Sequence, residues 1–103
     1  HFFYIEDKSN GVHKIKMTLA EEVTFFNKGA ILKELDSLPE NSYLELDVRK
    51  TRFLDNDIVE ILEDFSDKAK NRKIDIKIIS EKGEVENPDS YIEFFNLTPK
   101  KSA

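Results

Sequence analysis

Hydrophobic and polar residues alternate with a period of two in three stretches of this chain. In His13-Lys14-Ile15-Lys16-Met17-Thr18-Leu19, one side carries Ile15, Met17 and Leu19. Tyr43-Leu44-Glu45-Leu46-Asp47-Val48 places Leu44, Leu46 and Val48 together, and Lys73-Ile74-Asp75-Ile76-Lys77-Ile78 does the same with its isoleucines. Such alternation predicts strands with one buried face. The other faces carry Lys14, Lys16 and Thr18, then Glu45 and Asp47, then Asp75 and Lys77, so opposite charges can pair across neighbouring strands. The opening run Phe2 to Glu6 is more continuously apolar. With the turn Ser9-Asn10-Gly11 after it, it predicts an antiparallel hairpin.

Two stretches have helical period instead. Between Lys28 and Leu38, Ile31, Leu35 and Leu38 recur at i, i+4 and i+7, with Ala30 beside them. Asn27 is the expected cap, accepting from first-turn amides, and Pro39 the stop. Between Asn56 and Lys70, Ile58, Ile61, Leu62, Phe65 and Ala69 form a stronger stripe opposite a charged face. Either Asp55 or Asp57 can cap its start; an Asp57 cap makes a capping box with Glu60. Lys68, Lys70, Arg72 and Lys73 gather at its end, where cations suit the helix dipole.

The predicted order is strand-strand-helix-strand-helix-strand, an α/β class with a mixed sheet of four to five strands. Strand–helix–strand units are right-handed and make the strands locally parallel. A sheet covered on both faces reads as continuous apolar runs, whereas these strands alternate. Both main helices are therefore expected on one face, with the other face polar. Residues 1–97 form one domain. Within it, Asp89 to Leu97, with Tyr91, Ile92, Phe94 and Phe95, is read as a short amphipathic segment docking on the core. Residues 98–103 are read as a flexible tail.

Composition narrows the chemistry. The 103 residues contain no Cys and two His, which leaves no thiol nucleophile, no disulfide, no thiolate zinc site and little material for a multi-His centre. The formal charge of −5 opposes broad binding to nucleic acid, which needs a basic face. No apolar run approaches the roughly 18–20 residues of a membrane span. A start without Met, inside a strand, reads as a domain cut from a longer protein.

The acidic group Asp55, Asp57, Glu60, Glu63 and Asp64 offers paired carboxylates for acid–base chemistry. Helix capping plus a solvated helix face accounts for it more simply. His13 is read as a surface residue on the polar-face register. Tyr91 to Phe95 is read as a packing lid, and Gly29 and Gly83 form no phosphate-cradling pattern. No catalytic site, metal site or cofactor is assigned. The loop Arg49-Lys50-Thr51-Arg52-Phe53-Leu54-Asp55-Asn56-Asp57 holds most interest, because it runs from a strand's carboxyl end into a helix start. Three cations near free helix amides suit an anion, although Asp55 and Asp57 oppose one unless they cap the helix.

Here the residues become familiar. Leu44-Glu45-Leu46-Asp47-Val48, then Phe53-Leu54-Asp55-Asn56-Asp57-Ile58-Val59-Glu60-Ile61-Leu62, resembles the core of a STAS domain, as does Val23-Thr24-Phe25-Phe26-Asn27-Lys28. The likeness spans roughly residues 1 to 80. It is most similar to the cytoplasmic C-terminal domains of bacterial SulP-type anion transporters, where Asn at the first helix start accompanies Asp-x-Asp before the second. The resemblance implies a STAS fold and a non-enzymatic regulatory or interaction role. It also implies a transmembrane domain of the same chain upstream of His1, and a place on the cytoplasmic side of the bacterial inner membrane. The transported anion would be sulfate, bicarbonate or a dicarboxylate. Arg49, Arg52, Asp55, Asn56 and Asp57 become the loop for a nucleotide, another anion or a cytosolic protein, and a homodimer is a further option. The alternative is a free-standing partner-switching protein like the anti-sigma-factor antagonists. Those carry a phosphorylatable Ser or Thr after the loop Asp, where this chain has Asn56.

Overall fold

A computed structural model describes residues 2–9 and 11–95, with side chains from residue 11 onward. Residues 96–97 of the expected terminal segment and the expected tail at 98–103 lie outside the described residues. The chain runs β1 (Phe2–Ser9), β2 (Val12–Leu19), β3 (Glu22–Val23), a 3-10 turn (Phe25–Asn27) and α1 (Lys28–Asp36). It continues with β4 (Ser42–Asp47), β5 (Phe53–Leu54), α2 (Asn56–Asn71), β6 (Asp75–Ser80), β7 (Gly83–Glu86) and α3 (Tyr91–Phe95).

The main sheet has five strands in the order β1-β2-β4-β6-β7. β2, β4 and β6 are parallel, as helical crossovers require, while β1 and β7 pair antiparallel at the two edges. Gly11, with φ of 76°, supplies the left-handed backbone between β1 and β2. Alternation decides the layering. Ile15, Met17, Leu19, Leu44, Leu46, Ile76 and Ile78 are buried, and they join Ile31 and Leu35 of α1 in one apolar cluster. Ile58, Val59, Leu62, Phe65 and Ala69 of α2 belong to the same cluster. The helices thus share one face of the sheet. On the other face Lys77 Nζ lies 3.6 Å from Glu45, a cross-strand pair foreseen from the alternation, and 3.2 Å from Glu84 of β7, which was not.

Several local features differ from the sequence reading. β7 is a fifth strand of the main sheet, in the weakly patterned region after Ser80; all four of its residues are exposed, so burial imposes no period on it. β3 and β5 form a separate parallel ladder, two residues long and too short to show a pattern. α1 ends at Asp36, before Leu38, although Leu38 is still buried. Ala30 faces solvent. Asn27 accepts from the Thr24 backbone amide at 2.8 Å while Thr24 Oγ1 accepts from Phe26, so the cap belongs to the 3-10 turn and not to the first turn of α1. His13 shares the register of Ile15 and Met17 and is half-buried, so it does not belong to the polar face.

α3 explains two further differences. Val59 lies off the predicted stripe yet is buried, because α2 carries α3 along its flank, where Ile92 lies beside Val59. Glu63, read above as a solvated carboxylate, is the clamp for α3. Its Oε1 accepts from the Tyr91 amide at 2.8 Å, the Ile92 amide at 3.2 Å and the Ser90 hydroxyl at 3.4 Å. A carboxylate on the first amides of a helix meets donors that have no intrahelical acceptor. Tyr91 is 1% exposed and its hydroxyl has no hydrogen-bond partner among the described residues; burial foremost, and the nearby Glu63 charge, push its ionisation far upward.

An orphaned buried hydroxyl costs about 1–3 kcal/mol. Tyr91→Phe is therefore expected to raise stability by about 1 kcal/mol in denaturant titration, where loss of a useful hydrogen bond would lower it. Glu63→Ala is expected to speed hydrogen exchange at the Tyr91 and Ile92 amides while the amides of β4 keep their protection.

Candidate functional site

The parallel strands β4 and β6 end on the same side of the sheet, and two loops meet there. The loop after β4 turns at Arg49 and Lys50, with the Thr51 amide donating to Val48 O at 3.1 Å. Thr51 Oγ1 then donates to Ala20 O at 2.8 Å. The Arg52 and Phe53 amides both donate to Glu21 O, at 2.8 and 3.1 Å, and the Asp55 amide donates to Val23 O at 2.9 Å. These bonds stitch the approach to α1 onto the approach to α2. The ladder of β3 with β5 is the visible result.

Asp47 closes β4 and is only 4% exposed. A carboxylate buried this far needs partners. Arg49 supplies them through its backbone amide and Nε, both 3.0 Å from Oδ1, and Nη2, 2.7 Å from Oδ2. Lys16 Nζ stands 4.0 Å from Oδ2. The guanidinium hydrogen bond foremost, helped by the Arg49 amide and the two cationic charges, holds the Asp47 carboxyl below the ordinary carboxylate range against the opposing effect of burial. In turn Asp47 holds the Arg49 guanidinium protonated still more firmly. Arg52 lies outside this group, with Nε 3.2 Å from Glu21.

At the start of α2, Asp55 is the cap: its Oδ1 accepts from the Asp57 amide at 2.8 Å. Asp57 sits in the first turn as a dipole partner, so the alternative Asp57–Glu60 capping box does not form. Asp57 also reaches Lys28 Nζ at 3.6 Å, which ties the starts of α1 and α2 together.

Beside the loop lies a cleft of about 290 Å³, with Val48, Leu54, Phe94 and Phe95 as its apolar wall and Arg49, Arg52, Lys82 and Glu81 at its mouth. The five residues singled out in the sequence therefore divide. Arg49 and Arg52 line the cleft. Asp55, Asn56 and Asp57 do not; Asn56 opens onto a smaller hollow with Val59, Glu60 and Ile92. Both arginines already face carboxylates, and Asp55 occupies the free end of α2. Among the described residues, what remains for an anion is the Nη1 side of Arg49, which takes no part in the Asp47 clamp, with Lys82 and the exposed Lys50 of the adjoining hollow. The sequence reading placed Asp47 on the polar sheet face and Phe94 and Phe95 in a docking segment without joining them to this loop; Glu21 and Lys82 were not singled out and left no pattern.

Among the described residues no group of three or more His, Cys, Asp or Glu is placed to hold a metal ion, and no helix is long and apolar enough to cross a membrane. No family model and no curated protein matches the chain.

Asp47 gives the molecule an acid limb. Its folded value lies below its unfolded one, so its stabilisation is present in full above about pH 3.9 and is lost as the pH falls through the lower folded value. Asp47→Asn is expected to cost about 1–3 kcal/mol at neutral pH and to flatten that limb, read by thermal melts across the acid range.

Proposed function

We propose that this chain is a STAS-type regulatory and interaction domain of a SulP-like membrane anion transporter, without catalysis of its own. The observation that carries the reading is the joining of the two helix starts. Val23 to Lys28 and Asp55 to Asp57, the second lying within the Phe53–Leu62 part of the resemblance, are far apart in sequence. They meet through the Asp55–Val23 hydrogen bond at 2.9 Å and the Lys28–Asp57 pair at 3.6 Å. They do so on a mixed sheet with its helices on one face, which agrees with the implied element order. Paired arginines and a capped helix start suit a surface for a partner better than a reaction centre. Under this proposal the partner is the transmembrane domain of the same polypeptide, with the domain on the cytoplasmic side of the bacterial inner membrane. A small anion or nucleotide at Arg49 and Lys82 is a secondary ligand.

The antagonist alternative places a phosphoryl acceptor at residue 56. Asn56 is exposed at the start of α2, where a kinase could reach it, but an amide offers no hydroxyl. Incubation with an anti-sigma-factor kinase and ATP is expected to leave the intact mass unchanged; a phosphorylated product at the α2 start selects the antagonist instead. For the transporter reading, the reading frame upstream of the codon for His1 is expected to encode several apolar spans. A start codon within a few residues of that codon ends it.

A further inference from the structure

The cleft at the carboxyl ends of β4 and β6 combines a half-engaged guanidinium with an apolar wall. Asp47 grips Arg49 from the side: Nε lies 3.0 Å from Oδ1 and Nη2 2.7 Å from Oδ2. That grip uses one hydrogen of each nitrogen. The end-on edge, Nη1 with the second hydrogen of Nη2, has no partner among the described residues. Two parallel N–H groups on such an edge match the two oxygens of a carboxylate. Asp47 is 4% exposed and also accepts from the Arg49 amide at 3.0 Å, so the guanidinium is held in place before any ligand arrives. A donor fixed in advance loses little freedom on binding. The Arg49 side chain itself is about half exposed, which leaves that edge within reach of a ligand.

The wall selects the body of the ligand. Leu54, Phe94 and Phe95 line the same cleft and are only partly buried against the core, so each keeps apolar surface toward solvent. Phe94 and Phe95 meet edge to face at 5.0 Å, and a further ring adds to such a pair in the same geometry. α3 carries both rings, and it is fixed by the Glu63 clamp on the Tyr91 and Ile92 amides and by the buried Tyr91 side chain. We propose that this cleft is a binding site for a small aryl monocarboxylate, with its carboxylate on the free edge of Arg49 and on Lys82 and its ring against Phe94 and Phe95. The inference rests on the reading of this end of the sheet as a secondary ligand site, and it needs no membrane domain upstream.

Charge and size favour a monoanion over a nucleotide. Lys82 and the free edge of Arg49 attract one negative group, while Glu81 at the same mouth repels a second. Arg52 is taken up by Glu21 at 3.2 Å, and Lys50 lies in the adjoining hollow outside the cleft. Glu84, whose charge also reaches Arg49, is itself held by Lys77 at 3.2 Å. The cleft therefore lacks the positive excess that a run of phosphates requires. Its volume of about 290 Å³ lies at the small end of the roughly 300–1,000 Å³ of ligand pockets, room for a ring and a short chain but not for base, sugar and phosphates together.

Titration of the chain with hydrocinnamate, followed by amide NMR, tests the idea. Saturable shifts are expected at residues 49–54, 80–82 and 94–95, with the millimolar dissociation constant of a ligand of about eleven non-hydrogen atoms. Hydrocinnamamide keeps the ring without the charge and acetate the charge without the ring; each is expected to bind about tenfold more weakly or worse. Arg49→Lys leaves Asp47 a cation but removes the fork, and is expected to weaken hydrocinnamate about tenfold. Lys82→Gln, which leaves the Asp47 clamp whole, is expected to weaken it about threefold and reads the same site if Arg49→Lys lowers the melting temperature. An absence of saturable shifts overturns the proposal, as do shifts confined to other residues or equal binding of the amide. Tighter binding of inorganic pyrophosphate or GTP overturns it too, and assigns the cleft to phosphates. None of these outcomes touches the transporter reading, which the upstream reading frame decides.

Discussion

A sheet with one apolar face is the constraint on which the rest of this structure depends. Because Ile15, Met17, Leu44, Leu46, Ile76 and Ile78 point to a single side, every helix must pack there. Crossovers between parallel strands then carry α1 and α2 over the same surface, and their starts arrive together at the carboxyl ends of the strands. The stitching of Glu21 and Val23 to Arg52, Phe53 and Asp55 follows from that arrival: two loops brought side by side must satisfy their backbone groups. The cleft and the joined helix starts both follow from a period of two in three short strands.

What that period controls was legible. The three parallel strands, the two main helices and their one-sided layering were readable from hydrophobic period, and the hairpin from an apolar run and its turn. The features that were not legible lack repeating burial. β7 has four exposed residues, and β3 and β5 have two residues each, too few to carry a pattern. Asn27 illustrates a different limit. Its type announces a cap, but the sequence does not reveal which turn it serves, because Thr24 three residues earlier competes for the same role. Glu63 is a third kind of case. On a helix wheel it belongs to the charged face, and only the return of the chain at Ser90 to Ile92 gives its carboxylate something to hold.

The candidate loop shows the same division. Asp55 as cap was within reach of sequence rules, since its spacing to the apolar stripe demands one. The state of the arginines was not, because it depends on Asp47 and Glu21, which lie outside the loop's own pattern. Counting Arg49, Lys50 and Arg52 suggests an electropositive site. Placing them shows two guanidinium groups already matched to carboxylates, so the field available to a ligand is far smaller than the count.

Asp47 sharpens this point. Nearly buried at the end of a strand, it is stable as an anion only because Arg49 grips it with three donors and Lys16 stands near. The pair reads first as the answer to a burial problem: the last residue of β4 is 4% exposed although it lies in the polar-face register, and its charge must be met. Any anion drawn to Arg49 would compete with Asp47 for the guanidinium, leaving a buried carboxylate less well matched. A ligand at this end of the sheet therefore gains more from contacts that leave the clamp intact, with the apolar wall of Val48, Leu54, Phe94 and Phe95 or with Lys82, than from displacing it. Shape and apolar area, beside a guanidinium already matched to its own carboxylate, are what this end of the sheet provides.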